Sequence, residues 1–183
     1  MRKLAASVLL VALCACGASN PYGHAREYKP SDDEESYYDR AHEVSYEEIR
    51  RDPQGYAHEL VGWFGVVTAF EKQPGGTAKL SLELRFHQPR HMCEDQSEDS
   101  CRVTVSERAG GPFTTTVKLP ADQVGEGFGS PDRLNTGSLV KVYGEPTGEF
   151  DERGGPVLKT EWYRYWPHGT YVASSGSSNT MRR

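Results

Sequence analysis

The sequence predicts an all-β protein: a small five- to six-stranded barrel of the OB type over residues 45–172, behind a leader and an acidic tether. Three observations predict it. Strand patterns recur at even spacing from residue 59 onward with almost no helical period. Glycines fall where a strongly curved strand must bend. The seven shorter strands of a sandwich are not found. A five-stranded Greek-key barrel fits all three.

The leader comes first. Arg2 and Lys3 precede ten residues, 4–13, that are apolar apart from Ser7, and small residues follow. This is the pattern of a secretory signal, too short to span a hydrocarbon core of about 30 Å as a helix. No later stretch is long and apolar enough to predict a transmembrane helix. The ending Leu13-Cys14-Ala15-Cys16-Gly17 resembles the lipobox of bacterial lipoproteins. The resemblance implies cleavage after residue 15 and acylation of Cys16, which becomes the first residue of the mature chain. Cys14 fits less well, because Leu13 then stands where a small residue is wanted. An ordinary signal peptide with incidental cysteines is the alternative. Two or more acyl chains, at about 0.8 kcal/mol per buried CH₂, anchor a protein stably. Gly17, where inner-membrane retention in enteric-type bacteria uses aspartate, implies by the same resemblance an outer-membrane lipoprotein facing the periplasm.

Removing 15 of the 183 residues leaves 168, enough for one domain with a real core. Losing Arg2 and Lys3 takes the formal charge from -5 to -7. An acidic chain has no general electrostatic attraction for nucleic acid or anionic lipid. The expected partners are therefore the membrane through Cys16 and an envelope protein or cell-wall component, with no nucleic acid.

Residues 16–44 read as a lipidated acidic tether. Over 17–43 acidic residues outnumber basic ones by seven to three, no hydrophobic period is sustained, and Asp32-Asp33-Glu34-Glu35 invites solvent. Such a segment buries too little apolar surface to offset chain entropy and is expected to be disordered. The domain opens at Ser45-Tyr46-Glu47-Glu48, a capping box whose helix ends near Arg51 because Pro53 disfavours helical geometry at Asp52.

Residues 60–70 are apolar on both faces, with Gly62 and Gly65 as expected bend or bulge points. Residues 77–86 alternate, with Leu80, Leu82, Leu84 and Phe86 on one face. Residues 102–107 and 113–119 read as a hairpin around the glycine-rich 108–112. The connection 121–136 has room for one helical turn. Strands at 138–143 and 157–166 follow, separated by a turn at 151–155, and residues 173–183 form a serine-rich flexible tail.

Two patches resemble the Slp family of outer-membrane lipoproteins. One is Asp52-Pro53, Tyr56 and Val61-Gly62-Trp63-Phe64-Gly65-Val66-Val67; the other runs from Gly137 through Val140, Val142 and Gly144 to Gly148. Trp166 lies near that family's closing tryptophan. The resemblance implies an outer-membrane lipoprotein barrel and transfers no catalytic residue. That family has no counterpart to the histidines and cysteines of 87–101.

With Cys14 removed and Cys16 lipidated, Cys93 and Cys101 remain. In an oxidising compartment they read as one disulfide closing a nine-residue loop, worth about 2.5 kcal/mol. The same thiols with His87 and His91 compose a tetrahedral metal or redox alternative. No Gly-x-Ser-x-Gly, His-Glu-x-x-His or phosphate-loop pattern occurs, so neither catalysis nor a cofactor is expected. The binding candidate is Trp162-Tyr163-Arg164-Tyr165-Trp166. In a strand, Trp162, Arg164 and Trp166 share one face and the two tyrosines the other, and one of these faces must be core. The remaining face either packs under the tether or tail, or binds a glycan or small ligand by stacking.

Overall fold

The computed structural model describes residues 28, 30–88, 103–124 and 133–174. Helices α1 (Asp32–Arg40) and α2 (Tyr46–Arg51) precede β1 (Val61–Gln73) and β2 (Thr77–Arg85). Then come β3 (Thr104–Ser106), β4 (Pro112–Lys118), the single-turn α3 (Ala121–Val124), β5 (Leu139–Phe150), β6 (Pro156–Trp166) and β7 (Val172–Ser174). Five strands close in the order β1-β2-β4-β6-β5, and β5 returns to β1. Every barrel pairing is antiparallel except β4 with β6. This is the OB topology the sequence predicts.

The alternation of β2 turns Ala78, Leu80, Leu82 and Leu84 inward, where they meet Trp63, Phe113 and Val142 in the barrel core. Phe86, expected on the same face, lies past the strand end and is exposed. Strand β1 is apolar on both faces because both are covered. Val61, Trp63 and Val67 enter the barrel, while Phe64 joins Val103, Val105, Leu139 and Trp166 in a second cluster outside it. The bulge in β1 falls between Val67 and Ala69, not at a glycine. Gly65 is instead a site of close approach, since a Cβ there would stand 2.7 Å from the Phe113 ring.

The capping box holds. The Glu48 amide donates to Ser45 Oγ at 3.2 Å and the Ser45 amide to Glu48 Oε2 at 2.8 Å, and the helix ends at Arg51.

Two further expectations are corrected. The hairpin of 102–107 with 113–119 does not form. Gly110 and Gly111 exchange backbone hydrogen bonds with Leu84, so the chain enters β4 as the partner of β2. Strand β3 pairs instead in parallel with β7, because its Val105 and the preceding Val103 bury in the outer cluster. The expected disorder of the tether does not extend to residues 32–40, which form a helix against the barrel. Four acidic residues in its first turn suit the positive end of the helix dipole, and Tyr37 and the buried carboxylate of Glu34 find partners on β5 and β6. Strand β7 carries regular structure to Ser174, two residues beyond the expected domain end.

Candidate functional site

The site is built by an irregularity in β6. Tyr143 faces Trp162 and Gly144 faces Thr160, so Glu161 is bulged out of the ladder. One extra residue reverses which side chains point inward. Leu158 therefore lies in the core before the bulge, and Tyr163 and Tyr165 pack against that core after it. Trp162, Arg164 and Trp166 are left on the outer face. The two-faced reading of this segment is realised, with the tyrosines inside.

The bulge also opens the barrel's seam. Strands β4 and β6 pair only over Thr114–Thr116 and Val157–Lys159. Beyond that a cleft of about 770 Å³ runs between Lys118, Leu119 and Pro120 on one side and residues 162–165 on the other, with Ser31 and Asp33 of the helical segment at its edge. The Tyr163 hydroxyl donates to the Lys118 carbonyl at 2.9 Å, and Gln123 Nε2 donates to the Tyr165 hydroxyl at 2.6 Å. Gln123 is buried, and its Oε1 has no hydrogen-bond partner among the described residues. Stacking surfaces, hydroxyls, the cations Lys118 and Arg164 and the carboxylates Asp33 and Glu161 thus line one channel.

Beside the cleft, α1 lies across the outer face. Glu34 is fully buried. The Tyr28 hydroxyl donates to both of its carboxylate oxygens at 2.6 Å, and the Tyr143 hydroxyl donates to Oε1 at 2.7 Å. Arg164 Nη1 stands 3.6 Å from Oε2. Lys141, 7% exposed, donates to the Gly62 carbonyl at 2.8 Å and sits 4.3 Å from the Phe64 ring centroid. Burial pulls the Lys141 ammonium down to about 8, and the Glu34 charge opposes that shift. Burial, reinforced by Glu34, pushes the Tyr28 and Tyr143 hydroxyls above the ordinary phenol range, so both remain donors. Tyr37 stacks on Trp162 at 5.8 Å between centroids and 21° between planes. Trp166 is 4% exposed, beneath Arg164 and beside Phe64.

Of the residues singled out in the sequence, Trp162, Arg164 and Trp166 therefore meet on the outer face, partly under α1. His87 stacks on Phe64 at 5.6 Å. His91, Cys93, Cys101 and Cys16 lie outside the described residues, as does Cys14. No group of three or more metal-ligating side chains occurs among the described residues. The sequence reading missed Tyr28, Glu34, Lys141 and Tyr143. Its one available signal was Lys141 itself, a lysine inside the apolar run Leu139-Val140-Lys141-Val142-Tyr143.

Fold and cleft together define an OB-fold barrel with a ligand-sized seam. No family model matches the sequence, and no curated protein is similar to it. Among solved structures, the protein priB from Ralstonia solanacearum aligns at 9% identity over 58% of this chain and 97% of its own, with a TM-score of 0.28. The single-stranded DNA binding protein from Thermus aquaticus, as a deletion mutant, aligns at 18% identity over 62% of this chain and 52% of its own, with a TM-score of 0.29. These similarities concern the fold.

The exclusion of nucleic acid made from net charge is corrected here. A single-stranded DNA binding protein stands among the similar structures. The charge of a whole chain also does not describe one face: the seam sets Lys118 and Arg164 with Asp33 and Glu161 beside Trp162 and Tyr163, a lining without net negative charge.

Proposed function

We propose that the protein is a non-catalytic envelope lipoprotein, anchored through Cys16, whose OB barrel is a binding module with the seam cleft as its ligand site. The anchoring half is supported by the sequence alone, in the basic start, the short apolar run and Leu13-Cys14-Ala15-Cys16-Gly17. The binding half rests on one observation: the aromatic segment 162–165 and Lys118 line a cleft of about 770 Å³. That volume falls in the range of small-ligand sites, and Trp162 and Tyr163 give rings on which a sugar stacks while Arg164 and Lys118 orient its polar groups. A cell-wall glycan fragment is the ligand this lining suits.

Tryptophan fluorescence titrated with cell-wall glycan fragments tests the binding half, with a single-stranded oligonucleotide as a parallel arm. The expected result is a saturable change with glycan that Trp162→Ala abolishes. No response to glycan contradicts the ligand assignment, and a saturable response to oligonucleotide alone replaces it. For anchoring, Cys16→Ser is expected to move the protein from the membrane to the soluble fraction and to abolish fatty-acid labelling. Retention of the variant in membranes without label contradicts anchoring through Cys16.

A further inference from the structure

We propose that the outer face of β1, β5 and β6 is a receptor site for a carboxylate with a neighbouring aromatic ring, and that α1 is its built-in, displaceable occupant. The natural competitor is an acidic peptide offering the same pair of groups.

The receptor half belongs to the barrel. Tyr143 from β5 and Arg164 from β6 converge on Glu34, and Lys141 of β5, which donates to the Gly62 carbonyl, stands within reach of the Glu34 charge. Trp162 and Tyr143 supply the ring surface against which Tyr37 rests. Lys141 and Arg164 are cross-strand partners, and two cations sharing a largely buried face are costly unless an anion joins them. A strand whose only purpose were a sheet-covering helix would be served by aliphatic side chains, as the inner face is. Arg164, 3.6 Å from Glu34, with the buried Lys141 opposite it on β5, instead favours a carboxylate.

The occupant half is local and separable. Tyr28, Glu34 and Tyr37 all come from the segment preceding Ala41, and Glu34 and Tyr37 share one face of the helix by their three-residue spacing. Outside that patch, the ion pair of α1 with the barrel is Arg40 with Glu161 at 3.0 Å, where Arg40 is 55% exposed. Exposed pairs of that kind contribute little. Because α1 is covalently attached, its effective concentration at the pocket is on the order of millimolar, which keeps the site closed against dilute competitors.

This inference shares Trp162 and Arg164 with the seam cleft but rests on Glu34 and Lys141, so it stands or falls independently of glycan binding. The test uses the full chain and a fluorescein-labelled peptide of residues 28–41. The Glu34→Gln chain, whose own helix lacks the carboxylate, is expected to bind the peptide at least tenfold more tightly than wild type. A peptide carrying glutamine at position 34 is expected not to bind. Tyr37→Ala, which leaves the charges intact and removes the ring contacts with Trp162 and Tyr143, provides a second opened chain should Glu34→Gln fail to fold. If neither folded variant binds the peptide better than wild type, or if the glutamine peptide binds as well as the glutamate peptide, the proposal is overturned.

Discussion

The two faces of the sheet formed by β1, β5 and β6 are both buried, but by different means. The inner face is closed by Val61, Val67, Leu80, Leu82, Phe113 and their neighbours, a neutral core. The outer face is closed by a helix delivered from the N-terminal side and held through one buried carboxylate, two tyrosine hydroxyls, the Arg164 cation and a ring stack. Apolar burial is non-directional and tolerant of its partner. A buried charge is the opposite, since removing one member leaves the others uncompensated. The inner face therefore specifies that a barrel forms, and the outer face specifies what lies on it.

Substitutions on either side separate the two. Phe113→Ala removes the ring packed against Trp63 and Gly65. It is expected to cost about 3 to 5 kcal/mol and to lower the denaturation midpoint equally for backbone and tryptophan signals. Glu34→Gln removes the carboxylate that Arg164 faces and that offsets the buried Lys141 charge. It is expected to cost about 3 kcal/mol, read as lost amide protection in α1 while β2 and β4 keep theirs.

The barrel was the legible part in sequence, and the outer site was not. Leu80, Leu82 and Leu84 at alternate positions announce an inward face without knowledge of any partner. Ser45 and Glu48 likewise state a helix start within four residues. Glu34, by contrast, is one of four consecutive acids whose neighbours remain outside the barrel, and its partner Tyr143 is 109 residues away. Nothing local separates a carboxylate destined for burial from one in solvent. The misread hairpin has the same origin: Gly110 and Gly111 suit a tight turn to β3, and only the register with Leu84 commits the chain to β2.

The charged layer also predicts a pH dependence that the neutral core lacks. In the fold Lys141 holds its proton only to about 8, against 10.5 for the unfolded chain. Between those values the unfolded state binds more protons, so stability is expected to rise from pH 8 toward pH 10, by about 2 kcal/mol. Above pH 10 the sign reverses, because Tyr28 and Tyr143 stay protonated in the fold while their unfolded counterparts ionise. Denaturation midpoints across this range are expected to peak near pH 10, and Lys141→Met is expected to flatten the rise. Smaller still is Ser45→Ala, far from the charged cluster, with an expected loss of about 1 kcal/mol from the missing cap and no change in that pH profile.

Native-state hydrogen exchange on the wild-type chain measures the separability of the two layers most directly. The amides of α1 are expected to open together, at a free energy well below that of the β1 and β5 amides, leaving the barrel closed. Exchange of α1 only in the same global event as β1 and β5 would contradict a displaceable occupant and make the helix an inseparable part of the fold.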